Sequence, residues 1–379
     1  MSQLFTSFTF PQSTLNLDNR IVIAPMCTYS SIDGFANDWH FQHWSSMLMS
    51  SAGLFIIEAT AVTPAGRISE ADLGIWDDER AQAIKLHLDK ARKIANAPVG
   101  IQLAHAGRKA STPVPWKSDV KKPWQVVAPS AVRYHDSYPN PVALTINEIE
   151  IIIDEFVQAA LRAQSIGIDI IEIHAAHGYL LHEFLSPITN LRTDEYGGSL
   201  NNRMRLLLEI IDRLNAHPDF KLPIGVRISA TDWVEGGFDI EEAIEVAKSI
   251  QARSCAYLHV SSAGLSDQQK IPVGPLYQVP LAQAIKQAVP DLPVIAVGLI
   301  TKPEEAESIL TKQQADLIGL ARAILYNPRW PWHAAEVLGA KVNAPLQYVR
   351  CAPRGRSDLF KPHPDMDIST TNATDALNK

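Results

Sequence analysis

The chain has 379 residues, 46% of them hydrophobic and 20% charged, with a formal net charge of −7. That balance suits a soluble protein with a large core, and it argues against nucleic-acid or anionic-membrane partners. The first residues lack a charged start with an apolar run behind it, no stretch nears the ~18 apolar residues of a membrane span, and Cys27, Cys255 and Cys351 show no CxxC spacing, so a cytoplasmic enzyme with reduced thiols is expected.

Eight short apolar runs recur, each bounded by Gly, Pro or polar residues: Ile21–Ala24, Leu54–Ile57, Val99–Leu103, Asp169–Ile173, Ile224–Ile228, Tyr257–Val260, Val294–Val297 and Asp316–Leu320. Unbroken runs of this length read as strands buried on both faces, as in a parallel sheet. After the third run, residues 111–144 are rich in Pro, Trp and Val and read as a loop or small hairpin lid. A capping box, Thr145-Ile146-Asn147-Glu148, then opens an amphipathic helix from Ile146 to Ser165 that ends near Gly167. Residues 179–199 form a second irregular stretch, and Leu200 to Ala216 and Asp239 to Ser254 carry helical period. Thr301-Lys302-Pro303-Glu304 reads as another capping box with Pro303 in the first turn.

Strands alternating with helices predict an α/β fold, a (β/α)8 TIM barrel. Residues 1–350 would form this single domain, with the lid at 111–144, and residues 351–379 a polar tail, extended or disordered. A doubly wound open sheet competes, but no GxGxxG follows an early strand.

Polar residues gather where such a barrel keeps its active site, just after each strand. They are Pro25-Met26-Cys27-Thr28-Tyr29, Glu58-Ala59-Thr60-Ala61, Gln102-Leu103-Ala104-His105-Ala106-Gly107-Arg108, His174-Ala175-Ala176-His177-Gly178-Tyr179, Arg227, Gly298 and Ala321-Arg322. With Ala24, and with Asn190-Leu191-Arg192-Thr193-Asp194-Glu195-Tyr196-Gly197-Gly198-Ser199 and Asn202-Arg203, these motifs resemble the old yellow enzyme family. The likeness is to its cysteine-bearing subclass, which includes xenobiotic reductases. It runs from about Leu4 to Arg350.

The resemblance implies an FMN-dependent ene-reductase that takes hydride from NADPH or NADH and reduces the C=C bond of α,β-unsaturated carbonyl compounds. Quinones and nitro compounds are further acceptors it suggests. It assigns Ala24, Pro25, Met26, Cys27, Ala61, Gln102 and Arg227 to the flavin ring, and Gly298, Ala321 and Arg322 to its phosphate end. His174 and His177 would bind the substrate oxygen, Tyr179 would protonate Cα, and Tyr29 would line the pocket. Cys27, where many members carry threonine, would shift the flavin potential. The family's usual Gly-Arg pair reads Ala321-Arg322 here, which puts the local backbone in question. Gln347-Tyr348-Val349-Arg350 resembles a motif whose arginine enters a neighbouring active site, implying a homodimer or a tetramer of dimers.

Two other classes stay open at this point. The HxxH spacing admits a metal-dependent barrel lyase or hydrolase, although zinc needs a third ligand. A flavin-binding protein without catalysis is the other.

Overall fold

All eight apolar runs become strands in the computed structural model, which describes residues 2–362. They are β1 (Ile21–Ile23), β2 (Leu54–Ala61), β3 (Val99–Ala104), β4 (Ile170–Ala175), β5 (Ile224–Ser229), β6 (Tyr257–Ser261), β7 (Val294–Ala296) and β8 (Leu317–Leu320). Each pairs in parallel with the next in sequence, and β8 closes on β1. The result is the (β/α)8 barrel.

Strand alternation sorts the side chains into two cores. Outward residues such as Ile21, Ile23, Phe55, Ile101, Ile171 and Val226 meet the apolar faces of the surrounding helices. Those helices are α1 (Asp38–Leu48), α2 (Asp78–Arg92), α3 (Ile146–Ser165), α4 (Leu180–Leu185), α5 (Leu200–Ala216), α6 (Ile240–Gln251), α7 (Val279–Ala288), α8 (Pro303–Thr311), α9 (Arg322–Tyr326) and α10 (Trp330–Val337). Inward residues Val22, Leu54, Ile56, Ile170, Ile295 and Leu317 fill the bottom of the barrel. An antiparallel hairpin, Phe8–Thr9 with Asn16–Leu17, plugs that end, and the Phe10 ring lies 5.6 Å from that of Tyr257. No described helix is long and apolar enough to cross a membrane.

Thr145 and Glu148 form the expected reciprocal cap of α3: Glu148 accepts from the Thr145 backbone N–H at 2.8 Å. At α8 the reaching carboxylate is Glu305 rather than Glu304, accepting from the N–H groups of Thr301 and Lys302 at 3.1 Å each. The helix begins one residue later than the Thr301 cap requires, which moves the box by one.

Three elements differ from expectation. The insertion is not a hairpin, because Val127–Ala128 and Val142–Ala143 pair in parallel. The excursion between them is long enough for the chain to return in the same direction, which a tight turn forbids. Residues 179–199 contain the short helix α4, whose apolar residues are all buried. Residues 352–362 are not free: Leu359 is 2% exposed against Trp332, Ala335 and Val342, and Arg356 donates to the carbonyls of Glu336 and Ala340 at 2.7 Å each. A polar average conceals the apolar pair Leu359-Phe360 that anchors them. The rest of the proposed tail lies outside the described residues.

Candidate active site

The inward positions change character along the strands. Above the apolar floor stand Gln102, Glu172 and His259, and at the rim His174, Arg227, Ser229 and Ser261. Register fixes which of them are neighbours across the ladders: Gln102 lies opposite Glu172, and Arg227 lies opposite both His174 and His259. Gly225 matters by its small size, since a Cβ there would fall 2.1 Å from the Tyr257 ring. Its absence lets the Tyr257 hydroxyl reach Glu172 at 3.0 Å.

Glu172 has no exposure and accepts two further hydrogen bonds, from Gln102 Nε2 at 2.6 Å and His259 Nδ1 at 2.8 Å. Its carboxyl is held below the usual range, because His259, Arg227 and Tyr257 outweigh the burial that opposes ionisation. Burial depresses the guanidinium of Arg227, while Glu172 holds it up. Arg227 is 8% exposed and its buried Nε has no partner among the described residues. A buried, incompletely bonded cation is costly unless a ligand completes it.

His174, His177 and Tyr179 form one cluster. The His174 ring lies 5.2 Å from that of His177 and 5.0 Å, edge-on, from that of Tyr179. His174 Nδ1 accepts from the Ala176 N–H at 3.2 Å, so its ring proton sits on Nε2. His177 holds a left-handed backbone (φ 59°), with Nε2 2.8 Å from Ser261 Oγ and Nδ1 3.4 Å from His174 Nε2. Burial and then Arg227 push both imidazoles well below their usual pKa, so both are neutral donors at pH 7. Burial raises the Tyr179 phenol, which stays protonated.

The segment after β1 is fastened to β2. Glu58, at a register shift in β2, accepts from the Thr28 N–H at 2.9 Å and the Thr28 hydroxyl at 2.7 Å. This places Cys27 at the rim as a half-buried thiol. Burial, Asp72 and Glu58 raise its pKa, so it is a thiol rather than a thiolate. Tyr29, also left-handed (φ 50°), meets Trp116 of the insertion edge-on at 6.0 Å. Ala61 and Tyr179 share a small cavity. The Ala24 N–H bonds to Leu320 O at 2.9 Å, tying the first rim segment to the last strand.

A second cavity of about 180 Å³ runs from Arg227 to Gly298, Ala321 and Arg322. Gly298 has φ +124°, and a Cβ there would lie 2.9 Å from Gln278. Ala321 has φ −119°, outside the left-handed region, so its backbone does not require glycine. The cation of Arg227 in one cavity with Gly298, Ala321 and Arg322 fits the flavin and phosphate implied by the resemblance.

Arg350 is not brought to this site. It is exposed on a 3-10 turn, Leu346–Cys351, beyond α10. Among the described residues, no three His, Cys, Asp or Glu side chains converge to hold a metal ion.

Sequence reasoning missed several participants. Lys109 is pressed against the cluster, its Nζ donating to the carbonyls of His177 and Gly264 at 2.9 Å each and lying 5.3 Å from the Tyr179 ring. Burial lowers its ammonium to about 8. Glu172 and His259 carried a usable signal: a charged or titratable residue inside an otherwise apolar strand must have a partner.

The profile of the NADH:flavin oxidoreductase / NADH oxidase family matches residues 3–340. An NADPH dehydrogenase of Listeria innocua serovar 6a is 45% identical over 352 residues, covering 92% of this chain and 99% of that one. One from Geobacillus thermodenitrificans is 44% identical over 349 residues, 92% of this chain and 98% of that one. Among solved structures, morphinone reductase is similar with a TM-score of 0.73 and 26% identity over 98% of both chains. An old yellow enzyme homologue from Zymomonas mobilis gives 0.72 and 27% identity, over 96% of this chain and 97% of that one.

Proposed function

Because the chain belongs to the NADH:flavin oxidoreductase / NADH oxidase family, the old yellow enzymes, we propose that it is an FMN-dependent ene-reductase that uses NADPH to reduce α,β-unsaturated carbonyl compounds. When bound, the flavin supplies two-electron hydride chemistry between nicotinamide and the substrate Cβ. The observation that carries the reading is one rim on which neutral hydrogen-bond donors, His174, His177 and Tyr179, stand beside the buried cation Arg227.

Arg227 and Gln102 would hold the polar edge of the ring, and Ala24, Pro25, Met26 and Ala61 would contact it. Gly298, Ala321 and Arg322 would hold the phosphate, the last as a cation able to bind it bidentately. His174 donates through its Nε2–H to the substrate carbonyl oxygen, and His177 joins it by releasing Ser261. These donors meet the oxygen as it gains negative charge, which is where electrostatic catalysis is largest. Being neutral, they add no charge beside Arg227. Tyr179, protonated throughout the neutral range, gives its hydroxyl proton to Cα. Cys27 is a weak donor that biases the ring's redox state without ionising, and Tyr29 walls the substrate pocket with Trp116.

The reading extends to a cytoplasmic homodimer, or a tetramer of such dimers, in which the exposed Arg350 enters the neighbour's site. The domain would run from 1 to 350, joined by the packed residues 352–362, with the insertion at 111–144 as its lid. Release of the cofactor by denaturation and its mass identify FMN. Conversion of cyclohexenone to cyclohexanone with NADPH tests the reaction, and a folded, FMN-loaded protein that leaves every enone untouched contradicts it.

A further inference from the structure

We infer that Glu172 is a positioning residue for the flavin site: it turns the Gln102 amide so that only its carbonyl faces the cofactor, and it offsets the Arg227 charge. The inference rests on the flavin reading above and concerns how the cofactor is tuned.

Three donors converge on this carboxylate from two strands: Gln102 Nε2 of β3, and His259 Nδ1 and Tyr257 OH of β6. An ionised carboxylate only accepts, so the atom of Gln102 facing it is the nitrogen. The Gln102 oxygen is left for the cofactor side and selects an N–H donor there. The same logic fixes His259, whose proton sits on Nδ1. Its Nε2 is unpartnered among the described residues and faces the space left by Gly319, where a Cβ would lie 3.2 Å away.

The charges of the layer then balance. Burial and Arg227 keep His259 neutral against the pull of Glu172, leaving one carboxylate and one guanidinium in a water-excluded interior. Such charges act on one another, and on a bound ring, far more strongly than in water. With Glu172 made neutral, Arg227 acts uncompensated. Negative charge on the ring is then favoured, and the reduced flavin, which carries more of it, gains more than the oxidised one. Glu172 thus keeps the potential down.

The test compares anaerobic midpoint potentials and flavin retention for wild-type holoprotein, Glu172→Gln and Glu172→Asp. Glu172→Gln should favour reduced over oxidised flavin by at least tenfold, a rise of ~30 mV for a two-electron couple. Glu172→Asp keeps the charge but loses the reach to Gln102. It should stay near the wild-type potential while binding flavin about tenfold more weakly, the ~1.4 kcal/mol of one charged hydrogen bond. An unmoved or lowered potential in Glu172→Gln overturns the inference. Should that variant not fold, wild-type flavin affinity in Glu172→Asp overturns it instead. Wild-type protein that carries no flavin contradicts the functional reading itself, whereas a loaded wild type with unmoved variants contradicts the role of Glu172 alone.

Discussion

The floor and the mouth of the barrel are lined by the same strands under the same alternation, yet they do opposite work. At the floor, Leu54, Ile56, Ile170, Ile295 and Leu317 are fully buried and apolar. Each such side chain stabilises the fold by ~1.5–3 kcal/mol. Two and four residues beyond Ile170 on β4 stand Glu172 and His174, and Gln102, Arg227 and His259 join them from β3, β5 and β6; burial of these groups costs free energy that only hydrogen bonds and a ligand recover. On β4, position along the strand alone separates stability, at Ile170, from chemistry, at Glu172 and His174.

The sharpest way to break this division is at the mouth. His174→Ala should lower kcat/KM for an enone by ~10²–10³-fold, the cost of an oxyanion donor, with little change in melting temperature. A large stability loss with unchanged kinetics would reverse the assignment. At the floor, Ile170→Ala should cost ~2–5 kcal/mol in unfolding free energy while the folded fraction keeps its kcat. Denaturant titration alongside assays measures both. Tyr179→Phe should slow the oxidative half-reaction by ~10²-fold if the phenol is the general acid. An unchanged rate would hand that proton to water.

The smallest effect separates the regions by pH. The Glu183 carboxyl, on α4 beside the rim, is raised by burial to about 8 from 4.5. Folded protein keeps that proton where the unfolded chain has lost it, so this stability is present at low pH and is lost as pH rises through 8. Glu58, raised to about 7, acts in the same direction. The buried imidazoles, depressed below 6.5, change their contribution only under that pH. Between pH 6.5 and 8 the unfolding free energy should therefore fall by ~1–2 kcal/mol. Glu183→Gln should flatten the decline, and a wild-type profile flat or rising over this window would contradict it.

The fold was legible because eight short, mostly apolar runs alternating with helical segments admit few arrangements, and the helix at Ile146–Ser165 carried its own cap. Much of the rim was legible by position, since barrel chemistry follows strand ends. What escaped depends on contacts distant in sequence. Lys109 meets His177 and Gly264 only after folding, and Glu172 gathers partners from β3 and β6. The parallel course of the insertion escaped too, because Pro and Trp content marks an irregular segment without fixing its direction. The φ of Ala321 was likewise out of reach, since the family's glycine suggested a left-handed conformation that the backbone does not adopt.

The central claim is that the mouth holds a flavin which accepts electrons from NADPH and passes them to an enone. Anaerobic absorbance of the purified holoprotein tests it most directly. The flavin bands should bleach with one equivalent of NADPH and return with one equivalent of cyclohexenone. Bands that NADPH leaves unchanged, or that bleach and do not return with the enone, would contradict it.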